Sequence, residues 1–220
     1  MSTMNFWRQL DVFDPENFER TVHVVGCGAI GSHVVDTLIN AGITDIVVYD
    51  FDLVEEHNVP NQAFLPEQVG MPKVEAMAEL AAKLGCTITT VKARVTELSL
   101  EGPAYVILAV DCMEARKAIW ESTIRYNPMV RMLETRMAAE YGIIHTIDPI
   151  SPDEVKFWED SWFPSSDAED SACTNRAVTT TARSLAAIQV HNLIAWEAGE
   201  KPPAHTFFAL RPLTIVTRGA

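Results

Sequence analysis

Three glycines with the spacing G-x-G-x-x-G are the residues of this sequence that point most directly to chemistry. Gly26, Gly28 and Gly31 follow an apolar run at residues 21–25 and precede a helix-like stretch. In a nucleotide-binding turn the first glycine permits a tight turn, the second lets the backbone approach a phosphate, and the third lets helix and strand pack closely. The N–H groups of the helix N-terminus then face the anion. The spacing therefore predicts a nucleotide-binding turn.

An acidic residue follows at the distance expected for recognition of a ribose. Asp50 lies nineteen residues after Gly31 and ends a second apolar run. Its carboxylate could accept hydrogen bonds from ribose hydroxyls, or it could only cap the end of a strand. The glycine turn and Asp50 by themselves would also suit an NAD(P)-dependent oxidoreductase, so the choice of nucleotide depends on residues further along the chain.

Those residues form an ordered series after the second apolar run. Asp50 is followed by Asp52, Asn58, Gln62 and Lys73, within the segment DFDLVEEHNVPNQAFLPEQVGMPK. The series resembles the ThiF/MoeB/HesA family of ubiquitin-activating-enzyme-like adenylyltransferases, whose pattern runs Asp-x-Asp, then Asn-Leu-x-Arg-Gln, then Val-Gly-x-x-Lys. Several motifs in order are far more specific than the glycine turn alone.

The resemblance implies a site for ATP and Mg²⁺. A later segment, AVDCMEAR at residues 109–116, is similar to the family's Asp-Asn-x-x-x-Arg and places Asp111 as the Mg²⁺ ligand. Asp50, together with Asp52, would hold the ribose end, and Lys73 would neutralise charge on the transferring group. The amides of the intervening loop would line the phosphates; these are Asn58, Asn61 and Gln62. The implied reaction is adenylation of the C-terminal carboxylate of a small ubiquitin-like or sulfur-carrier protein.

Three of these residues have simpler alternatives. Lys73 could be a solvated lysine of a first helical turn, and Asp111 could be the N-cap of the helix that follows it. Asn61 stands where the family has an arginine, and a neutral amide cannot form a bidentate phosphate clamp. Either another cation replaces the missing arginine, or the chain adenylates its substrate poorly. In the second case the chain could be a degenerate nucleotide-binding subunit that acts as a scaffold for an active partner.

Two further residues are candidates for catalysis. Arg8 resembles the N-terminal arginine that ThiF/MoeB dimers insert into the neighbouring subunit, which implies a homodimer; the alternative is an exposed arginine in a tail. Cys173 precedes a long helical pattern, where relatives carry an acyl-accepting or persulfide-forming thiol. A helix N-terminus and the nearby Arg176 would lower the pKa of that thiol. The alternative for Cys173 is a small packing residue.

The elements that must position these residues alternate along the chain. Short apolar runs alternate with helical patterns, which is typical of βαβ units. We predict an α/β fold, a Rossmann-like doubly wound, mostly parallel sheet extended by antiparallel C-terminal strands. The predicted strands are residues 21–26, 45–50, 87–93, 105–110, 130–134 and 143–147, with one or two more within 206–217. The predicted helices are residues 29–41, 72–84, 114–126 and 174–199.

The remaining segments are predicted to be loops and an arm of one domain, residues 1–220. Residues 1–20 form the N-terminal arm, and residues 51–69 form a loop with at most one short turn. Residues 148–170 are rich in acids and tryptophans and are predicted to be a long surface loop. Residues 149–172, which overlap this loop, resemble the family's crossover loop, which covers the C-terminal tail of a ubiquitin-like protein; a solvated connector is the alternative.

The amino-acid composition of the chain restricts the classes of partner and metal that it is expected to bind. The net charge of −13 argues against nucleic acid and against an anionic membrane surface. The four cysteines are widely spaced without a Cys-x-x-Cys pair, which disfavours structural zinc and favours a reduced, cytoplasmic compartment. No run of 18 apolar residues occurs, so no membrane-spanning segment is expected.

Overall fold

A computed structural model describes residues 4–167 and 178–219 of the chain. Its centre is an eight-stranded sheet with the strand order β3-β2-β1-β4-β5-β6-β7-β8. The strands are β1 (Thr21–Val25), β2 (Ile46–Tyr49), β3 (Thr89–Val91), β4 (Ala104–Leu108), β5 (Val130–Met137), β6 (Tyr141–Ile147), β7 (His205–Leu210) and β8 (Leu213–Arg218). Strands β1 to β5 pair in parallel, and β5 to β8 pair antiparallel. The predicted fold class is therefore confirmed.

Helices cover both faces of the sheet. They are α1 (Ala29–Asn40), α2 (Lys73–Lys83), α3 (Met113–Ile119), α4 (Pro152–Asp160) and α5 (Thr179–Glu197). One face packs against α1, α2 and α5, and the other packs against α3, α4 and a π-helical turn at Trp120–Ile124. Every residue of β4 is buried, because a central parallel strand with helices on both faces needs apolar side chains on each side.

The prediction of a loop over residues 148–170 is wrong for Pro152–Asp160, which form α4. Val155 and Trp158 lie one helical turn apart and are buried, and the ring of Trp158 lies 4.6 Å from that of Trp120. This packing stabilises a helix of only nine residues. Proline is favourable at its first position, because the N–H that proline lacks would have no partner within the helix.

Other boundaries differ by a few residues. The predicted helix 114–126 continues as the π-helical turn Trp120–Ile124 after α3. The loop 51–69 contains two short 3₁₀ turns, Glu56–Asn58 and Pro66–Gln68, where at most one was predicted. The predicted start of the last helix, residues 174–177, lies outside the described residues. In the part of the chain that the structure describes, no helix is long and apolar enough to cross a membrane.

The topology places the motifs at one edge of the sheet. The chain turns to opposite sides of β1 to form β2 and β4, so a topological switch point lies between β1 and β4, at their carboxyl ends. The glycine turn follows β1 there. Helix α5 begins at the same edge, where the Thr181 hydroxyl donates to the carbonyl of Ala139 between β5 and β6. The N-terminal arm contacts the other end of α1, where Gln9 donates to the carbonyl of Ala41.

Candidate functional site

The glycine turn has the geometry that the spacing predicts. Gly26 has a φ of +91°, and a Cβ there would lie 2.7 Å from the carbonyl oxygen of Ala109. A Cβ on Gly31 would lie 1.8 Å from the carbonyl oxygen of Gly26. By contrast, a Cβ on Gly28 would meet nothing within 4 Å. The first and third glycines are therefore required by packing, while the second leaves open space at the N-terminus of α1.

Asp50 connects this turn to the end of β2. One carboxylate oxygen accepts from the backbone N–H of Cys27 at 2.6 Å, and the other accepts from the N–H of Asp52 at 2.8 Å. Asp50 thus does cap a strand end, and it also braces the glycine turn. Each carboxylate oxygen can accept a second hydrogen bond, so these contacts leave acceptor capacity for a hydroxyl. Recognition of the ribose by Asp50 stays a prediction.

Lys73 is buried rather than solvated. It is the first residue of α2, only 7% exposed, and its ammonium donates to the carboxylate of Asp52 at 3.0 Å. A cation at a helix N-terminus is disfavoured by the helix dipole, and Asp52 offsets that cost. The Asp52 side chain is itself 49% exposed. A phosphate arriving at the site could therefore compete with Asp52 for the ammonium group.

The loop between β2 and α2 is shaped by Asn58 and contains a buried acceptor. The side chain of Asn58 accepts from the N–H of Glu55, and its carbonyl accepts from the N–H groups of Asn61 and Gln62. The side-chain oxygen of Gln62 is buried without a hydrogen-bond partner among the described residues. A buried polar atom of this kind calls for a partner. Rotation of the amide would instead direct its N–H groups to a phosphate.

Helix α1 holds this loop beside the glycine turn. Ser32 accepts from the N–H of Ala63 at 3.0 Å, and Nε2 of His33 lies 3.2 Å from the carbonyl oxygen of Asn61, to which it donates when it carries the proton. Burial lowers the pKa of His33, and the positive charge of Arg183 lowers it further. The neutral imidazole is thus favoured, and the loop is fixed to the second turn of α1.

Asp111 is exposed at the carboxyl end of β4. The N-cap of α3 is Cys112 rather than Asp111, and the hydroxyl of Ser165 accepts from the N–H of Met113. The alternative of Asp111 as the helix cap is therefore wrong. Ala109, two residues earlier, touches the glycine turn, so Asp111 lies near the place expected for phosphates.

The donors for Mg²⁺ are few. In the part of the chain that the structure describes, no group of three or more His, Cys, Asp or Glu side chains is placed to hold a metal ion. An exposed carboxylate such as Asp111 fits Mg²⁺ only in combination with phosphate oxygens and water. That combination is the usual one for Mg²⁺ bound with a nucleotide.

Sequence reasoning missed a buried ionic cluster behind the site. Glu134 is fully buried, and it accepts from Arg116, Arg136, Nδ1 of His145 and, at 3.3 Å, the indole of Trp158. Burial alone would raise the pKa of the Glu134 carboxyl, but these neighbouring cations hold it well below its usual value. The sequence signal was the occurrence of charged or titratable residues, Glu134 and His145, within two predicted strands.

Arg116 links this cluster to the end of β4. Its guanidinium donates to the carbonyls of Leu108 and Val110, and also to the carbonyl of Thr135 on β5. The backbone that leads into Asp111 is therefore held by a buried cation. Arg116 belongs to the segment that resembles the family motif, and its role in this chain is to position that backbone.

The structure does not bring Arg8 to the glycine turn, and it does not describe Cys173. Arg8 is exposed and lies over the ring of Trp7 at 5.3 Å, in the arm that contacts the far end of α1. Any contribution of Arg8 to a site would therefore be to that of another subunit. Cys173 lies in residues 168–177, outside the described residues.

Comparisons with known proteins agree with the architecture. Among curated proteins, the chain is 37% identical over 93 residues to Ubiquitin-like modifier-activating enzyme 5 of Drosophila willistoni. The aligned region covers 42% of this chain and 20% of that relative. The Arabidopsis thaliana protein of the same name is 32% identical over 130 residues, covering 47% of this chain and 30% of the relative. The chain thus matches less than a third of these longer proteins.

Solved structures share the fold at low sequence identity. E. coli MccB, crystallised with ATP, gives a TM-score of 0.67 at 14% identity, over 91% of this chain and 64% of that one. PaaA gives a TM-score of 0.68 at 17% identity, with the same coverage. The ThiF family model matches residues 9–217, nearly the whole chain. The chain therefore belongs to the ThiF family.

Proposed function

We propose that this chain is an ATP-dependent adenylyltransferase that activates a carboxylate of a small protein or peptide. The observation that supports this most is the state of four motif residues that follow the carboxyl ends of β1, β2 and β4. Gly28 leaves open space at the N-terminus of α1, and Lys73 is buried against Asp52. The side-chain oxygen of Gln62 has no partner among the described residues, and Asp111 is exposed. A dinucleotide site would not need the last three features.

The negative charges of the reacting groups determine what the site must provide for this reaction. A carboxylate oxygen attacks the α-phosphorus of ATP, a new P–O bond forms, and the bond from that phosphorus to the β-phosphate oxygen breaks to release pyrophosphate. The attacking group and the phosphates are all anionic, so positioning and charge neutralisation dominate catalysis. Lys73 and the N-terminus of α1 supply positive potential. Mg²⁺, held by Asp111, would neutralise the phosphates further.

The proposed substrate is the C-terminal carboxylate of a ubiquitin-like or sulfur-carrier protein. The names of the curated relatives support this class, and E. coli MccB was crystallised with the ATP analogue AMPCPP and with MccA. Of the predicted crossover loop 149–172, the part that follows α4 would cover the tail of the carrier. The Cys173 thiolate would then attack the acyl carbon, form a thioester and release AMP. A homodimer would allow Arg8 to reach the neighbouring site.

Pyrophosphate exchange into ATP tests this function. The chain is incubated with ATP, Mg²⁺, labelled pyrophosphate and a panel of small proteins that end in Gly-Gly. We expect exchange that depends on one of these proteins and is lost in Lys73→Met. Lys83→Met, at the exposed end of the same helix, is the matched control and should keep it.

Two other outcomes would favour the alternatives. Binding of ATP without any pyrophosphate release would support a scaffold subunit, in which Asn61 replaces the family's arginine. Retained binding of NADH without exchange would support an oxidoreductase. In both cases Lys73→Met and the control variant would show no difference in exchange, because none would occur.

A further inference from the structure

The segment that follows α4 is bonded to the first turn of α3. The hydroxyl of Ser165 accepts from the N–H of Met113 at 3.0 Å and donates to the carboxylate of Glu114. The other carboxylate oxygen of Glu114 accepts from the N–H of Ser165 at 2.8 Å. Cys112, which occupies the N-cap position, forms no side-chain cap. Ser165 therefore caps α3 from a distant part of the chain, with the reciprocal bonds of a capping box.

Further contacts fix the rest of this segment, residues 161–165. Arg136 of β5 donates to the carbonyl and to the hydroxyl of Ser161, at 2.8 and 3.2 Å. The indole of Trp162 donates to the carbonyl of Met113 at 3.2 Å. Segment 161–165 is thus attached to β5 at one end and to α3 at the other, so it crosses from one strand of the parallel sheet to the helix that follows its neighbour.

These contacts place segment 161–165 beside the proposed Mg²⁺ ligand. Met113 is the second residue after Asp111, so the Cα atoms of these two residues are at most about 7 Å apart. Both follow β4 at the edge of the sheet where Ala109 lies against the glycine turn. A carboxylate that attacks the α-phosphorus must reach this edge. Segment 161–165 therefore lies on one side of the path that a carrier tail would take.

The segment presents an aromatic ring that a peptide could contact. Phe163 is 37% exposed, and its ring centre lies 5.7 Å from the guanidinium carbon of Arg136. Such a ring selects a bound conformation only if the backbone that carries it is fixed. Glu114 supplies the fixed anion on the α3 side. Hydrogen bonds from Ser165 and then from Cys112 lower the pKa of the Glu114 carboxyl to about 2, so the group is ionised at neutral pH.

We infer that Glu114 is a positioning residue for the carboxylate substrate: through Ser165 it fixes segment 161–165 beside Asp111, so that the ring of Phe163 packs on the tail of the carrier. This inference rests on the proposed function, since it assumes that the tail reaches ATP at this edge. It gives an α3 residue a role in binding the carrier rather than the nucleotide.

Pyrophosphate exchange at varied concentrations of ATP and of the Gly-Gly protein that supports exchange tests this inference. Glu114→Ala should raise the KM for that protein about tenfold and leave the KM for ATP within about twofold, because only the contact with the tail is weakened. Arg116 holds the backbone before Asp111 separately. Glu101→Ala is the matched control: it removes an exposed carboxylate before β4, at the opposite edge of the sheet, and should change neither KM.

Hydrogen–deuterium exchange distinguishes positioning from a general loss of folding. In Glu114→Ala, the N–H groups of segment 161–165 and of Met113 should exchange faster, while those of the glycine turn should exchange as in the unchanged chain. Ser165→Ala should reproduce the rise in KM for the carrier. The double variant Glu114→Ala with Ser165→Ala should be no worse than either single variant, because both residues act through the same bonds.

The outcomes separate the inference from the function on which it rests. If the unchanged chain supports no exchange, the proposed function fails. If it supports exchange, and Glu114→Ala has the same KM for the carrier as Glu101→Ala, only the inference about Glu114 fails. An equal rise in both KM values, or faster hydrogen exchange throughout the chain, would also overturn it, since Glu114 would then support the fold rather than the path of the tail.

Discussion

The carboxylate of Asp50 and the backbone N–H of Cys27 are joined by a hydrogen bond of 2.6 Å, which ties the end of β2 to the glycine turn after β1. Asp50→Ala removes this bond and the one from Asp52. We expect the free energy of unfolding in urea to fall by about 1–3 kcal/mol, since two N–H groups lose their acceptor. Asp160→Ala, which removes one exposed ion pair, should change it little.

Asp50→Asn refines this prediction. An asparagine keeps one acceptor oxygen, so it should recover part of the lost stability. It cannot serve both N–H groups, so its ATP affinity should remain below that of the unchanged chain. If Asp50→Ala unfolds at the same urea concentration as the Asp160→Ala control, Asp50 does not brace the turn.

Two glycines of one motif should respond in opposite ways to alanine. The Cβ of Gly31→Ala would lie 1.8 Å from a carbonyl oxygen, so we expect a loss of about 3 kcal/mol or more in the free energy of unfolding. Gly28→Ala meets no atom within 4 Å and should unfold within about 1 kcal/mol of the unchanged chain. Its methyl group would occupy the open space of the turn, and ATP binding should therefore weaken. Thermal unfolding and calorimetry measure the two effects; normal ATP affinity in Gly28→Ala would refute the second.

Stability should depend on pH through buried histidines. Burial lowers the pKa of His23, His33 and His205 from the ordinary value of 6.5. The unfolded chain then binds more protons than the folded chain as the pH falls below 6.5, so the free energy of unfolding decreases there. The contribution of these three histidines to stability is fully present above that pH.

Arg183 should alter this behaviour at one histidine. Because its charge lowers the pKa of His33, Arg183→Ala should raise that pKa, and NMR titration of the His33 ring measures the shift. The ring of His23, whose pKa is governed by burial and by Asp45, serves as the internal control. An unchanged His33 titration would place Arg183 too far away to act on this loop.

The buried cluster should be sensitive to loss of its buried carboxylate acceptor, Glu134. Glu134→Gln leaves Arg116 and Arg136 without a neutralising charge in the protein interior, so we expect a loss of about 3–5 kcal/mol in urea unfolding. Glu121→Gln removes an exposed carboxylate paired with Lys117 and should have little effect. A loss no larger than that of the Glu121 control would contradict the assignment of Arg116 as a positioning residue.

Mixing variants tests whether Arg8 acts between subunits. Arg8→Ala and Lys73→Met should each lack exchange activity if both residues belong to one composite site. A mixture of equal parts should regain about a quarter of it, because half of the randomly paired dimers hold one intact site. No recovery, in a mixture that still forms dimers by light scattering, would show that Arg8 does not complete the neighbouring site.

Much of the fold could be predicted from local patterns. The order of strands and helices and the change from parallel to antiparallel pairing agree with the structure, because apolar runs and glycine stops are local signals. Helix α4 was missed, since its acids and its proline suggest a loop. Val155 and Trp158, one turn apart, were the available signal, and their burial against Trp120 decides the structure.

Residues that act through tertiary contacts were harder to predict. The order of motifs along the chain indicated Lys73, but its pairing with Asp52 depends on how α2 meets the end of β2. The cluster around Glu134 joins β5, β6 and two helices, and no spacing in the sequence announces it.

The brace from Asp50 has a consequence for how a nucleotide is selected. Because both of its oxygens accept from backbone N–H groups, the turn is already braced before a nucleotide binds. The turn loses its conformational entropy when the chain folds, so nucleotide binding does not have to order the turn a second time. A rigid turn of this kind binds any phosphate group of suitable size. Selectivity between nucleotides must then come from the side chains around the turn, which can change conformation.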